Sequence, residues 1–219
     1  MRKKQPIRYG LGIAAYTLSW FSLLFSLFPV SLIVPSIAEA VQGTTPLTVT
    51  AGSPSATTST VSANPTSVTA DGTTTSTITV TVKDTYSNLV SGATVTLSSS
   101  RGATDTIVQP VGTTDASGQI TGTVKSTTSG DAVISAVVNG TVNVTATATV
   151  TFTAGPPAAS TSLVDALPTS VVADGVTTST ITVTVLDANN NPVSGATVSL
   201  SSSRGATDTI TQPVGTTNA

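Results

Sequence analysis

The 219-residue sequence predicts an all-β protein built from tandem two-sheet sandwiches, and three observations carry that prediction. Apolar and polar residues alternate with a period of two. The alternating runs are short and punctuated by Gly, Asn and Asp. A block of sequence recurs, without a gap, 103 residues further on. Beyond residue 40, Thr, Ser, Val and Ala fill most positions and no window has helical periodicity. Thr and Val suit a pleated, half-buried surface, while Ser and Gly suit turns.

In chain order, residues 1–8 (MRKKQPIR) are basic, residues 10–37 are almost continuously apolar, and the stretch closes on Ala38-Glu39-Ala40. That is the three-part pattern of a secretory signal ending in an A-x-A site. An apolar run of roughly 25 residues at about 1.5 Å each reaches about 37 Å, enough to cross a hydrocarbon layer of about 30 Å. Length alone therefore leaves an uncleaved anchor open, with membrane contact through residues 10–37. Pro29 and Pro35 weigh toward cleavage, because each removes a helix donor and Pro35 extends the backbone just before the small residues of the cut site. The expectation is a hydrophobic signal helix over 1–40, cut after Ala40. The basic cluster places the start inside and the rest outside in either case. The rest is expected to be exported, to the cell surface, the outer membrane or the extracellular space.

SSSRGATDTI occupies 98–107 and again 201–210, and the same shift pairs Pro65 with Pro168, Asp71 with Asp174 and Gly92 with Gly195. From Pro65 to Ala116 against Pro168 to Ala219, ten of 52 pairs differ, so the two stretches are expected to share one fold. TAGSP at 50–54 also answers TAGPP at 153–157, and Leu47 and Val49 answer Val150 and Phe152. The expected organisation is a linker over 41–58 with the vestige of a preceding unit, and a complete unit over 59–154. A linker over 155–162 and a second, truncated unit over 163–219 follow.

Within the unit, STITVTVKD places Ile78, Val80 and Val82 on one face and Thr77, Thr79 and Thr81 on the other; GATVTL does the same with Ala93, Val95 and Leu97. Asn139-Gly140 supplies the two positive-φ positions of a tight hairpin, after which Val142, Val144, Ala146, Ala148, Val150 and Phe152 alternate with polar partners. Asp71-Gly72, Asp84 to Asn88, Ser91-Gly92, Ser117-Gly118 and Ser129-Gly130 break the chain into about seven strands. Seven short antiparallel strands in about a hundred residues suit an Ig-like sandwich.

Composition narrows the chemistry. Without His or Cys, His-based triads, thiol nucleophiles and the usual zinc ligands are excluded. Beyond Ala40 only Lys83, Arg101, Lys125 and Arg204 stand against nine Asp, a balance that argues against nucleic acid as a partner. Asp71/Asp174, Asp84/Asp187 and Asp105/Asp208 recur at equal places and read as turn residues bonding to nearby backbone rather than as paired catalytic carboxylates. DANNN at 187–191 starts like a calcium loop, but Pro192 stands where that loop needs Gly and Val198 where it needs Glu. Arg101-Gly102-Ala103 lacks the carboxylate of the integrin-binding tripeptide, so Arg101 reads as a solvated loop residue. Asn139 and Asn143 begin N-x-T patterns inside a hairpin and carry little weight. No catalytic, cofactor-binding or metal-binding residue is expected, and the chain is not expected to be an enzyme.

ADGTTTSTITVTVKD and ADGVTTSTITVTVLD, NLVSGATVTL and NNNPVSGATVSL, TTDASGQITGTV and SGDAVISAVVNG resemble the bacterial Ig-like domain, group 1, of the invasin and intimin adhesin family. The long N-terminal signal, with FPV at 28–30 and PSIAEA at 35–40, looks like that family's as well. The resemblance implies an exported cell-surface protein whose repeats serve as stalk or adhesion module. Its partner would be a protein or glycan on a host or neighbouring cell. Family members that anchor themselves carry a membrane β-barrel between signal and repeats. Here repeat sequence starts within about twenty residues of the predicted cut, which departs from that pattern. A different reading makes the repeats accessory modules of a secreted enzyme whose catalytic domain lies outside this sequence.

Overall fold

STITVT makes a strand because its Ile and Val side chains leave one side of the pleat together, while the Thr side chains line the other. In the computed structural model, which describes residues 48–218, this strand lies inside a four-stranded sheet. Residues 1–47, with the expected signal helix, lie outside the described residues. The strands are β1 (Thr60–Asn64), β2 (Ser67–Thr69), β3 (Ser76–Thr81), β4 (Val95–Ser99), β5 (Asp105–Val108) and β6 (Gln119–Ser126). They continue with β7 (Gly130–Val138), β8 (Val142–Asn143), β9 (Ala148–Thr153), β10 (Leu163–Leu167) and β11 (Thr180–Thr184). One sheet has the order β1-β3-β6-β5 and the other β2-β9-β7-β4, with β8 added to β7.

The period-two faces fall as the sequence predicts. Ile78, Val80 and Val82 are fully buried, and Ala93, Val95 and Leu97 nearly so. The main buried cluster runs from Val61 to Phe152 and is contributed by both sheets. Gly122 in β6 is hemmed in by Leu97 of the facing sheet and by β5 of its own. A Cβ there would lie 2.7 Å from Leu97 Cδ1 and 2.7 Å from the Val108 carbonyl oxygen, so only glycine fits.

Two features depart from about seven antiparallel strands. The first strand is split: β1 pairs antiparallel with β3, the chain crosses at Pro65, and β2 joins the other sheet parallel to β9, with Ser67 opposite Thr151 and Thr69 opposite Thr153. Proline has no N–H to give a ladder, so the crossing falls where a rung is already missing. The long alternating run is also split. Asn139 and Gly140 take φ of 49° and 71° and fold β8 back on β7 as expected. The Thr145 N–H then turns to the Ala56 carbonyl at 2.9 Å, interrupting the ladder before β9.

In the second repeat, β10 and β11 pair as β1 and β3 do, Leu163 opposite Thr184 and Leu167 opposite Thr180. The counterparts of β2, β4 and β5 form no strand although their sequences are nearly those of the first repeat. In the first repeat these three pair with β9, β7 and β6, whose counterparts fall beyond residue 219. Pairing, not local sequence, makes the strand. Ile181 is accordingly 42% exposed where its equivalent Ile78 is fully buried.

Candidate functional site: the joint between the repeats

Each repeat carries the same turn at one end. In the first, the Asp84 carboxylate accepts N–H bonds from Gly52 (2.8 Å), Tyr86 (2.9 Å), Asn88 (2.9 Å) and the Asn88 side-chain amide (2.9 Å). In the second, Asp187 accepts the same four, from Gly155 (2.8 Å), Asn189 (2.8 Å), Asn191 (2.8 Å) and the Asn191 amide (2.9 Å). Ser87 and Asn190, at φ of 67° and 64°, close the two turns. The Asn88 amide and the Gly52 N–H hold the Asp84 carboxyl down at about 2. Burial pushes Asp187 up, but the Asn191 amide and the Gly155 N–H outweigh it, and its pKa stays below the ordinary carboxylate value. With four donors on its two oxygens, this carboxylate ties the turn to the linker.

The second turn also reaches the first repeat. Asn191 Oδ1 accepts the Ser129 N–H at 2.8 Å, and Asn191 Nδ2 donates to the Thr127 carbonyl at 2.9 Å. Asn189 Nδ2 donates to the Ala70 carbonyl at 3.0 Å. Asn191 is buried, and both its amide hydrogens and its oxygen are used, one hydrogen inside its own repeat and the rest across the joint. Asn88, its equivalent in the first repeat, keeps the internal bond to Asp84 and is exposed.

On the receiving side stands Arg101. Its Nε donates to Asp105 Oδ2 at 3.2 Å and its Nη2 to Asp105 Oδ1, while Nη1 donates to the Thr128 and Ser129 carbonyls, each at 3.0 Å. The guanidinium lies 4.9 Å from the centroid of the Phe152 ring. Its side chain is 15% exposed and that of Asp105 fully buried, which corrects the expectation of a solvated arginine. Asp105 is likewise no turn residue; it opens β5, and although burial raises its pKa, Arg101 and Ser99 bring it below the ordinary value. Asp71 and Asp174 do bond within turns, to the N–H groups of Thr73 and Thr74 and of Val176 and Thr177. Asn139 ties its hairpin turn to the residue before β4, accepting the Thr94 N–H at 3.0 Å.

Sequence reasoning missed the joint, though a signal was present. Five of the ten differences between the repeats, at 83, 85, 86, 87 and 89, cluster around the turn that in the second repeat faces the first, while Asp84/Asp187 and Asn88/Asn191 are kept. What changes is what the turn meets.

Residues 55–155 match the family model described as Invasin, domain 3, and residues 161–219 match that of the Bacterial Ig-like domain (group 1). Both repeats are thus bacterial Ig-like units of the invasin and intimin adhesin family. Among solved structures, invasin, described as a bacterial integrin-binding protein, is 32% identical over 64% of this chain and 28% of its own, with a TM-score of 0.53. InvD of Yersinia pseudotuberculosis is 33% identical over 63% of this chain and 40% of its own (TM-score 0.52). The Escherichia coli adhesin FdeC is 26% identical over 67% of this chain and 46% of its own (TM-score 0.50). The chain spans less than half the length of each.

Proposed function

We propose that this chain is an exported bacterial cell-surface protein of invasin/intimin type whose Ig-like repeats form a stalk that holds an adhesive surface away from the cell. The observation that carries the reading is the joint. Three hydrogen bonds from Asn189 and Asn191 to the first repeat fix one unit on the next, where a Pro-rich linker alone would leave them semi-stiff. Each unit adds on the order of 30–40 Å, taking strands of about eight residues at ~3.3 Å plus their loops. A stalk needs fixed orientation and no reacting group. The polar contacts described above all serve turns, ladders or the joint. Its partner would be a protein or glycan on a host or neighbouring cell, met by parts of the surface outside the joint.

Antibody raised against residues 59–154 and applied to intact and permeabilised cells tests export. Labelling of intact cells is expected, with cell adherence reduced when 59–154 is deleted in frame. Labelling of permeabilised cells alone would overturn the surface reading.

A further inference from the structure

We propose that the Arg101-Gly102-Ala103-Thr104-Asp105 motif is the receiving half of the joint, with Arg101 a positioning residue that shapes Thr127–Ser129 for the Asn191 amide of the following repeat. The proposal rests on the stalk reading and deepens it by naming the surface and its partner, a unit of the same type bearing the Asp-x-x-x-Asn turn.

A guanidinium carries five donors in a fixed fork. Asp105 engages Nε and Nη2 and so sets the plane of the group, and the Phe152 ring lies under it. The remaining nitrogen, Nη1, then holds two successive carbonyls, Thr128 and Ser129. With those two taken from the side of the first repeat, the Thr127 carbonyl and the Ser129 N–H remain for Asn191, and it uses both. A second tie joins motif and loop: the buried Ser126 hydroxyl donates to the Thr104 carbonyl at 3.1 Å and accepts the Thr128 N–H at 3.1 Å. A lysine would keep the charge beside Asp105, but a single ammonium cannot span the carboxylate and both carbonyls in one plane.

The local geometry of the motif is the same in both repeats. In the second repeat Arg204 pairs with Asp208 at 2.7 Å, the Ser202 hydroxyl accepts the Arg204 N–H at 3.0 Å, and Gly205–Thr207 forms the same short 3-10 turn as Gly102–Thr104. The short turn and its arginine–aspartate pair thus recur in both repeats.

The chain has no cysteine, so a pair introduced at Thr121 and Asp165, one exposed site in each repeat, carries two spin labels without background. In the full chain a narrow inter-label distance distribution is expected. Asn191→Ala broadens it, Arg101→Lys broadens it to the same width, and the double variant adds nothing further. A distribution left narrow by Arg101→Lys, or broadened additively in the double variant, overturns the proposal. Should Arg101→Lys unfold the first repeat, Asn191→Ala, which leaves that repeat's sequence untouched, is read by hydrogen exchange. Faster exchange over 101–105 is expected, and unchanged exchange there overturns it. Neither readout depends on where the cell places the protein, so a stalk reading that fails by surface labelling fails separately.

Discussion

The Gly155 backbone N–H donates to Asp187 at 2.8 Å across thirty-two residues of chain, tying the linker that leaves the first repeat to the turn after β11 of the second. Gly52 and Asp84 repeat the bond at the same distance, 103 residues earlier. The linker is therefore held by the unit that follows it, and the charge on one carboxylate maintains the hold.

Acid should release that hold. Both carboxyls titrate below the value of about 3.9 for an unfolded Asp, so in the acid range the folded chain binds fewer protons than the unfolded one. Their stabilisation is complete above about pH 4 and is lost as pH falls through the folded values, about 2 for Asp84. Thermal melts followed by circular dichroism between pH 7 and pH 2 should show a midpoint that is flat at first and then falls steeply below pH 4. Asp187→Asn should shrink that fall.

Ile78→Ala removes a fully buried side chain and is expected to cost about 2–5 kcal/mol in chemical denaturation.

Gly122→Ala should destabilise the first repeat by about 1–3 kcal/mol, because the new methyl group meets a backbone carbonyl that cannot rotate away. Leu97→Ala in the same chain removes the other obstacle and leaves the Val108 carbonyl in place, so it should rescue only part of the loss. Denaturant midpoints of the two single variants and the double variant check this.

The ion pair of the repeated motif should matter to stability. Asp105→Ala strands Arg101 beside a buried site and is expected to cost about 3–5 kcal/mol. The same denaturation series resolves it.

Much of the fold was legible because one face of each strand is buried. The Ile78-Val80-Val82 alternation, the Asn139-Gly140 turn and the 103-residue register all follow from side-chain period and turn chemistry that act locally. The parallel pairing of β2 with β9 was hidden, since three residues are too few for a period and the pairing depends on a partner over eighty residues away. The joint was hidden for a different reason. Arg101 and Asn191 bond mostly to main-chain carbonyls and N–H groups, which every sequence has, so no matching side chain marks the contact. Arg101 read as a solvated loop residue because Asp105, four residues on, read as a turn residue bonding to nearby backbone instead of as its partner. The near-identity of the repeats was a sound guide to their turns, which agree bond for bond at Asp84 and Asp187.

The split first strand bears on how the first repeat responds to tension. Because β2 and β9 run side by side in one direction, a pull on the incoming chain before Ser67 and on the outgoing chain after Thr153 drags them past each other along their length. The rungs between them are strained together instead of parting one at a time like a zipper. Forced unfolding is governed by the rate of crossing the unfolding barrier. β1, paired with β3, stands between the entry of the repeat and β2, so a pull from outside loads that ladder first and the parallel rungs behind it next.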